Sequence, residues 1–379
     1  YKKKMKIFFL DITMINTKET ISKSVLFIDN EKHLGGGQIV GLNVIDILAK
    51  NKFHIGLMVP KDSLMELELN DTTINPSLHY FSSLDFNEVN YFFTKILIIC
   101  KFFIDNIFKF KKYLMNYDFI YINSIRLLPF LLPCLIVTGK SFGIHIHLIH
   151  GPIVRSLVRF VSKFQNCKII ICCSERVYDD YRNHILNDKI VTIRNSLKKD
   201  FQDISFVNRF DKTLNIGFIG DISREKGADI VLNLAKKLPD INFFFKGRSK
   251  LKQIGPYSEN VFLNKNSSNI KEFINSNRIN IILMPSRVKE SFGLVAIESC
   301  ALSCITLISS SGYLKNIADE CDLKVCTDEL MYFEHLIKLS ELTSAQLESI
   351  SKKSWRLVNA RYSIEGFTES IKKFLIPLI

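Results

Sequence analysis

Twice along its 379 residues the chain shows the same succession of an apolar run, a turn and a helix-like segment. In the front half, the run at residues 25–28 leads to glycines at 35–37 and then to apolar residues with helical spacing. In the second half, the run at 214–220 leads through a polar turn to an amphipathic segment at 228–238. Strands that alternate with helices form parallel, doubly wound sheets. The sequence therefore predicts an α/β fold with two such sheets.

Eight further apolar runs predict strands at residues 54–59, 119–122, 143–148, 168–172, 241–245, 261–263, 279–284 and 305–308. The polar segment 195–211 shows no clear period, and we predict the linker between two domains there. We expect a first domain at 1–200, a second at 201–360, and a C-terminal helix at 361–379 that packs back toward the first. Such sheets bind ligands at the carboxyl ends of their strands, which places a site in the cleft between the domains.

The charge of the chain limits its partners. The formal net charge is +13, and residues 1–200 carry 27 Lys and Arg against 18 Asp and Glu. A basic surface attracts nucleic acid, anionic lipid or phosphorylated substrates. The sequence shows no helix-turn-helix and no RNP-like aromatic motif, so it does not favour nucleic acid. A basic binding protein without catalytic activity is an alternative.

The nine cysteines form no C-x-x-C pair, and most lie in apolar runs. We expect buried thiols in a reducing cytosol. No Cys/His quartet has the spacing of a zinc site, and we predict neither a metal nor another cofactor. The first residues lack a signal-peptide pattern, and charges interrupt the longest apolar stretch, 91–110. We therefore expect a cytoplasmic protein without a spanning helix.

Residues 89–113 combine five lysines and one acid with six phenylalanines. A basic amphipathic helix with aromatic residues can bind an anionic membrane surface. Such a helix would place the protein peripherally on the inner face of the cytoplasmic membrane, near a lipid-linked acceptor. A helix buried in the core is the alternative.

Two turns between strand and helix have the composition of phosphate sites. Gly35 and Gly36 open the first predicted helix, where free N–H groups and the helix dipole favour an anion. Without side chains, the backbone can approach that anion closely. In the second domain, Arg224 and Lys226 lie in the corresponding turn and could neutralise a leaving diphosphate. A tight structural turn and a solvated charge run are the respective alternatives.

Two carboxylates follow a strand near the same cleft. Glu290 lies in the loop after the strand at 279–284, and Glu298 lies eight residues later along the next helix. Such a pair can accept hydrogen bonds from the hydroxyls of a sugar and a ribose. The spacing alone is uninformative, and surface glutamates are the alternative.

Three histidines end or follow the strand predicted at 143–148, namely His145, His147 and His150. A histidine at this end of the sheet would face the cleft, where it could bond a sugar hydroxyl or position an acceptor. The residues alone do not choose among the three. A satisfied loop histidine is the alternative for each.

In this order, the motifs resemble those of glycosyltransferase family 4, whose members have the GT-B fold of two Rossmann-like domains. The resemblance extends over nearly the whole chain from about residue 25. Its paired-glutamate motif, with a Pro-Ser prefix and a Phe-Gly core, is fairly specific. The matching phrases are Gly35-Gly36-Gly37-Gln38, residues 173–196, Gly220 with Glu225-Lys226-Gly227, Pro285-Ser286, and Glu290-Ser291-Phe292-Gly293-Leu294 with Glu298.

The resemblance implies a retaining transfer, without metal, from a UDP- or GDP-sugar to a saccharide or lipid-linked acceptor in bacterial surface polysaccharide synthesis, such as O-antigen or capsule. It implies that Lys226 holds the diphosphate, Glu290 the transferred sugar and Glu298 the ribose. His147 is the implied active-site histidine, with His150 as the alternative. The donor would also contact Gly35, Gly36, Arg224, Ser291, Phe292, Gly293 and Leu294.

Four positions depart from the family's usual pattern, namely Asp221, Leu148, Ser303 and Ile305. Members commonly have an arginine where this chain has Asp221, so one diphosphate cation is missing unless Arg224 replaces it. Two alternatives of the same fold follow from the resemblance. One is a scaffold protein without catalytic activity, and the other is a nucleotide-sugar epimerase.

Overall fold

The computed structural model describes residues 23–70, 74–82, 92–185, 188–201, 204–211, 213–250, 257–264 and 269–379. The start of the chain, for which we predict no signal peptide, lies outside these residues. Residues 89–91 of the predicted basic helix also lie outside them, and the side chains of 92–97 are not described.

The first sheet is entirely parallel. Across the sheet the strands follow the order 3-2-1-4-5-6-7. The order reverses between the first and fourth strands, which makes that point the topological switch point of the sheet. Within the described residues the strands are β1 (Ser24–Ile28), β2 (His54–Pro60), β3 (Ser77–Phe81), β4 (Phe119–Ile122), β5 (Ser141–Ile146), β6 (Cys167–Cys172) and β7 (Ile190–Thr192).

The second sheet is also parallel and repeats this layout. Its strands follow the order 10-9-8-11-12-13, so its switch point lies between the eighth and eleventh strands. The prediction of two doubly wound parallel sheets is therefore confirmed. The strands in the described part of the chain are β8 (Asn215–Ile219), β9 (Asn242–Lys246), β10 (Val261–Asn264), β11 (Ile281–Met284), β12 (Ile305–Ile308) and β13 (Lys324–Val325).

Helices connect the strands and cover the sheets, as crossovers between parallel strands require. The first domain contains α1 (Gly36–Lys50), α2 (Leu64–Asn70), α3 (Phe92–Met115), α4 (Leu128–Thr138), α5 (Pro152–Ser162) and α6 (Glu175–Tyr181). The second sheet is accompanied by α7 (Ala228–Lys237), α8 (Ile270–Ser276), α9 (Leu294–Ala301), α10 (Leu314–Cys321), α11 (Glu329–Ser340) and α12 (Ser344–Arg361).

In strand β1, apolar residues occupy successive positions. Val25 and Phe27 pack in a cluster with α1, whereas Leu26 and Ile28 pack in the cluster that contains α3, α4 and α5. Successive side chains of a strand point to opposite faces. Because helices cover both faces of the sheet, both sets of side chains must be apolar.

The last helix, α13 (Ile364–Phe374), packs on the first domain although it ends the chain. Phe367 and Ile371 are buried in one cluster with Val40 and Val44 of α1. The preceding helix α12 instead packs against α9 and α10 of the second domain. The chain therefore crosses back from the second domain to the first around Tyr362.

The observed strands begin and end within two residues of the predicted ones, one of these differences affects the site, and the structure adds three strands. The strand predicted at 143–148 ends at Ile146, because its pairing with β6 stops at Cys172, so His147 lies in the following loop. We did not predict β3, β7 and β13. The last two have only three and two residues, and β3 is mostly half-buried, so none has a long apolar run.

The cysteines agree with the expectation of buried thiols. All nine cysteines are free thiols, and every one except Cys100 is buried. Among the described residues, no helix is long and apolar enough to cross a bilayer.

Candidate active site

The glycine loop lies at the switch point of the first sheet, between β1 and α1. Gly35 precedes the helix in an extended conformation. A β-carbon on Gly36 would lie 3.0 Å from the Leu294 side chain of the second domain, and one on Gly37 would lie 3.1 Å from the His147 ring. The missing side chains therefore allow both the opposite domain and this histidine to approach the loop closely.

The cationic turn lies at the other switch point, between β8 and α7. Gly227 has a φ of +77°, and a β-carbon there would lie 2.1 Å from the carbonyl oxygen of Pro285, so this position requires glycine. Beside it, Lys226 Nζ lies 2.6 Å from Glu290 Oε1, and Ser286 Oγ donates to the same oxygen at 2.8 Å. The structure thus brings two of the predicted catalytic residues into contact at the carboxyl edge of the second sheet.

The same turn contains Arg224 and the unusual Asp221. The Arg224 side chain is exposed. The Asp221 carboxylate forms ion pairs with Lys250 at 2.5 Å and with Arg248 at 3.4 Å, and both cations follow the neighbouring strand β9. The acidic side chain therefore holds two cations at the edge of the sheet where the resemblance implies an arginine.

Ser291 connects the two domains. Its Oγ accepts a hydrogen bond from the N–H of Ile149 at 3.1 Å, and its carbonyl oxygen accepts one from Ser174 Oγ at 2.5 Å. Both donors belong to the first domain. The hydroxyl of this predicted donor-binding residue is therefore bonded across the cleft, and the segment that contains it is fixed between the domains.

The two residues after Ser291 lead into α9. Phe292 stacks on Tyr313 with ring centroids 5.2 Å apart and meets Tyr362 edge-on at 5.7 Å. Gly293 has a φ of +110°, and a β-carbon there would lie 2.5 Å from Leu314. A buried aromatic anchor and an obligatory glycine thus set where the helix begins. Its first turn offers backbone N–H groups and the positive end of the helix dipole.

Glu298 lies in the second turn of α9 and is only 6% exposed. Burial raises the pKa of its carboxyl to about 7, whereas nearby Lys198 lowers the pKa and Asp200 raises it. Both neighbours lie in the segment that connects the domains. Near neutral pH this carboxyl exists in both protonation states, so it can either donate a hydrogen bond to a ligand hydroxyl or accept one.

Of the candidate histidines, His147 contacts the glycine loop and His145 is fully buried behind it. Their rings pack with centroids 3.9 Å apart, and His147 Nε2 lies 2.8 Å from Asn123 Oδ1. Burial lowers the pKa of His147 to about 3, helped by the neighbouring His150, and burial also lowers the pKa of His145 and of His150. All three rings are therefore neutral at pH 7, and His147 cannot donate a proton as an imidazolium.

Sequence reasoning missed two buried polar residues at the first switch point. Asp29 follows β1 and Asn123 follows β4, the two strands that flank the reversal in strand order. Asn123 Nδ2 donates to Asp29 Oδ2 at 2.5 Å, while Asn123 Oδ1 faces His147. The sequence signal that could have identified these two residues is a polar residue directly after each of two apolar runs, where a predicted strand ends.

The second domain matches a known sequence family. Residues 200–342 match the family described as Glycosyl transferases group 1. The matched segment contains Lys226, Glu290 and Glu298, so the family's domain includes the ion pair and the buried glutamate described above. No curated protein sequence matches the chain.

Solved structures match both domains together. HepE of Anabaena, solved with UDP and glucose, is 14% identical, with a TM-score of 0.72 over 93% of this chain and 99% of the other. Sucrose-phosphate synthase from Thermosynechococcus elongatus is 14% identical, with a TM-score of 0.72 over 94% and 99%. TarM of S. aureus, solved with Fondaparinux, alpha-GlcNAc-glycerol and UDP, is 12% identical, with a TM-score of 0.69 over 93% and 99%. The chain therefore has the GT-B fold.

The buried Glu298 makes stability depend on pH. Its folded-state pKa of about 7 lies above the ordinary 4.5, so the folded protein loses stability as pH rises from 4.5 through 7. At 1.36 kcal/mol per pKa unit, the penalty at pH 8 is roughly 3 kcal/mol. We expect Glu298→Gln to raise the free energy of unfolding at pH 8 by a large part of this amount and to change it little at pH 4.5, as measured by urea denaturation.

The matched control for this measurement is Glu341→Gln, an exposed glutamate at the end of α11. Its effect should be small and equal at the two pH values. An equal effect of Glu298→Gln at pH 4.5 and pH 8 would show that Glu298 does not titrate with a raised pKa.

Proposed function

We propose that the protein is a glycosyltransferase that moves a sugar from a nucleotide-sugar donor to a saccharide acceptor. The observation that carries the proposal is the ion pair of Lys226 and Glu290, which lies at the switch point of the second sheet within the matched family domain. A cation beside a carboxylate suits a ligand in which an anionic diphosphate adjoins sugar hydroxyls. The relatives solved with UDP and with UDP-glucose support a nucleotide sugar as donor.

In this proposal the second domain binds the donor. Lys226 binds the diphosphate and neutralises the negative charge that develops as the glycosidic bond breaks. Glu290 accepts hydrogen bonds from the transferred sugar, and Glu298 bonds the ribose. The backbone of Phe292, Gly293 and Leu294 contacts phosphate and sugar at the start of α9, where the helix dipole favours negative charge.

The first domain completes the site from the opposite side of the cleft. The close approach of Gly36 to Leu294 supports a role for Gly35 and Gly36 in closing on the diphosphate. His147 lies beside this loop and, as a neutral ring, bonds a substrate hydroxyl. Exposed Arg224 adds a further positive charge at the diphosphate.

We also propose the specific properties that the resemblance to family 4 implies. These are the retaining mechanism of family 4, a UDP- or GDP-hexose donor, and a lipid-linked acceptor in bacterial surface polysaccharide synthesis. We also propose that the transfer needs no metal. Four cations lie in the turns after β8 and β9, namely Arg224, Lys226, Arg248 and Lys250. Glu290 pairs with one of them and Asp221 with two, so the four cations exceed their two carboxylate partners by two charges, which supports binding of a diphosphate without a metal.

A panel of UDP- and GDP-sugars, assayed in the presence of EDTA for hydrolysis and for transfer to saccharide acceptors, tests the proposal. We expect one donor to be consumed. Lys226→Ala and Glu290→Gln should each lower kcat/KM at least roughly a hundredfold, because each removes a preorganised group from the transition state. The matched control is Lys236→Ala, an exposed lysine on α7, which should retain the wild-type rate.

Each contrary result has its own meaning. Full activity of both variants would overturn the assignment of the site. Release of an epimerised sugar without acceptor would identify an epimerase, and failure to bind or turn over any donor would identify a scaffold. Loss of activity in EDTA that Mg²⁺ restores would overturn the metal-free reaction.

We also propose that the first domain binds an anionic membrane surface, which would place the protein at the inner face of the cytoplasmic membrane. In the described part of α3, Phe102 and Phe110 are buried in the core, but Ile104 and Phe108 are exposed. α3, α4 and α5 cover the same face of the sheet. The exposed side chains on these helices include Ile104, Phe108, Ile136, Val137, Ile153 and Phe160, with Lys101, Lys109, Lys111, Lys112 and Arg159, and we propose that they form one basic apolar face.

Vesicle co-sedimentation tests the basic apolar face. We expect binding to vesicles that contain phosphatidylglycerol and not to vesicles of phosphatidylcholine alone. The double variant Ile104→Ser with Phe108→Ser should weaken binding at least roughly tenfold, because it removes two apolar side chains that would enter the interface. Leu330→Ser, an exposed leucine on α11 of the second domain, is the control. Equal binding to both vesicle types, or by the double variant, would contradict the proposal.

A further inference from the structure

Asp29 is a fully buried carboxylate at the end of β1. Three donors surround it: the N–H of Glu31 at 2.7 Å, Gln38 Nε2 at 3.1 Å from each oxygen, and Asn123 Nδ2 at 2.5 Å. No Lys, Arg or His among the described residues forms an ion pair with it. A buried charge is costly unless hydrogen bonds satisfy it, and here neutral donors alone do so. The carboxylate therefore orients the groups that donate to it.

The direction of the amide of Gln38 is fixed from its other end. The N–H of Gly35 donates to Gln38 Oε1 at 3.1 Å, so the Nε2 atom must face Asp29. This arrangement ties the glycine loop to the carboxylate through one side chain.

The direction of the amide of Asn123 is fixed in the same way. Its Nδ2 atom faces two acceptors, the Asp29 carboxylate and the carbonyl oxygen of Gly37 at 3.2 Å. Its Oδ1 atom must then face His147 Nε2, at 2.8 Å. An amide oxygen only accepts hydrogen bonds, so the Nε2 atom of His147 carries the hydrogen.

His147 is consequently held as one neutral tautomer. Burial opposes protonation and lowers the pKa of His147 to about 3, and the neighbouring His150 lowers it as well. With hydrogen on Nε2, the Nδ1 atom keeps its lone pair. That atom is buried and has no hydrogen-bond partner among the residues the structure describes. The ring can therefore accept a hydrogen bond at Nδ1 but cannot donate one there.

We infer that Asp29 is a positioning residue that acts through Asn123 to fix the Nε2–H tautomer of His147 and through Gln38 to fix the glycine loop. Because Nδ1 is buried in this structure, a substrate reaches it only after neighbouring groups move, and the group that it then receives must be a hydrogen-bond donor, such as a sugar hydroxyl. The identity of this substrate group, and any effect on turnover, rests on the proposed function. The inferred tautomer of His147 is independent of that function, because the side chains of Asp29, Gln38, Asn123 and His147 all belong to the first domain.

Burial raises the pKa of the Asp29 carboxyl, and it is the two accepting oxygens of this side chain that the arrangement requires. Asp29→Asn keeps the shape but replaces one accepting oxygen with an NH₂ group, in a place where three donors converge. If the new NH₂ group faces Asn123, only the Gly37 carbonyl still favours the present direction of that amide, and an amide that turns presents Nδ2 to His147. The ring would then accept at Nε2 and carry its hydrogen on Nδ1.

NMR of the full-length protein labelled with ¹⁵N at the histidine rings tests the inference directly. The pattern of ¹⁵N couplings distinguishes the two neutral tautomers from the imidazolium, and His147→Gln identifies the signal of His147. We expect the Nε2–H tautomer in the wild type at pH 7. The Nδ1–H tautomer or an imidazolium in the wild type would overturn the inference, whether or not any variant folds and whether or not a donor is known.

The variants extend the test to function. We expect Asp29→Asn to shift His147 toward the Nδ1–H tautomer and to lower kcat/KM for the donor roughly tenfold to a hundredfold, as for loss of one buried hydrogen bond. The control Asp46→Asn changes an exposed aspartate on α1 that pairs with Lys50 and should alter neither property. An Asp29→Asn protein with the wild-type tautomer and wild-type kinetics would contradict the positioning role.

Discussion

The cleft depends on one short segment, residues 290–294, which the protein holds from both sides. On its own domain, Glu290 bonds Lys226 at 2.6 Å. Toward the first domain, Ser291 bonds Ile149 and Ser174, and Leu294 lies against Gly36. The same residues that we propose to bind the donor therefore also join the domains. In this structure the proposed site and the contact between the domains share these residues.

A polar cluster beside this segment supports the closure. Arg194 of the first domain bonds Glu175 at 2.5 Å and pairs with Glu320 of the second domain at 3.2 Å, and Tyr313 donates to Glu175 at 2.8 Å. Hydrogen bonds and partly exposed ion pairs of this kind each contribute on the order of 1 kcal/mol or less. Several such bonds together fix the relative geometry of the two domains at this contact.

The sequence alone predicted the parts of the fold and the site that local patterns encode. Apolar runs identified the central strands, and the turns after β8 and β11 placed Lys226 and Glu290 together because parallel strands share one carboxyl edge. The sequence could not show that Asp29, Gln38 and Asn123 meet, since strands distant along the chain bring them together. The pairing of Asp221 with Lys250 likewise depends on which strand lies beside β8. The predicted strand extended past Ile146 because the apolar residue Leu148 follows, although backbone pairing with β6 ends at Ile146.

In the proposed function, residues 290–294 and Lys226 form the binding site of a nucleotide sugar. A crystal structure of the protein with UDP or GDP, whichever raises its melting temperature more, tests this assignment. We expect the diphosphate within hydrogen-bonding distance of Lys226 Nζ and of the backbone at the start of α9, with the ribose at Glu298. A nucleotide bound elsewhere, with the pair of Lys226 and Glu290 intact, would contradict it.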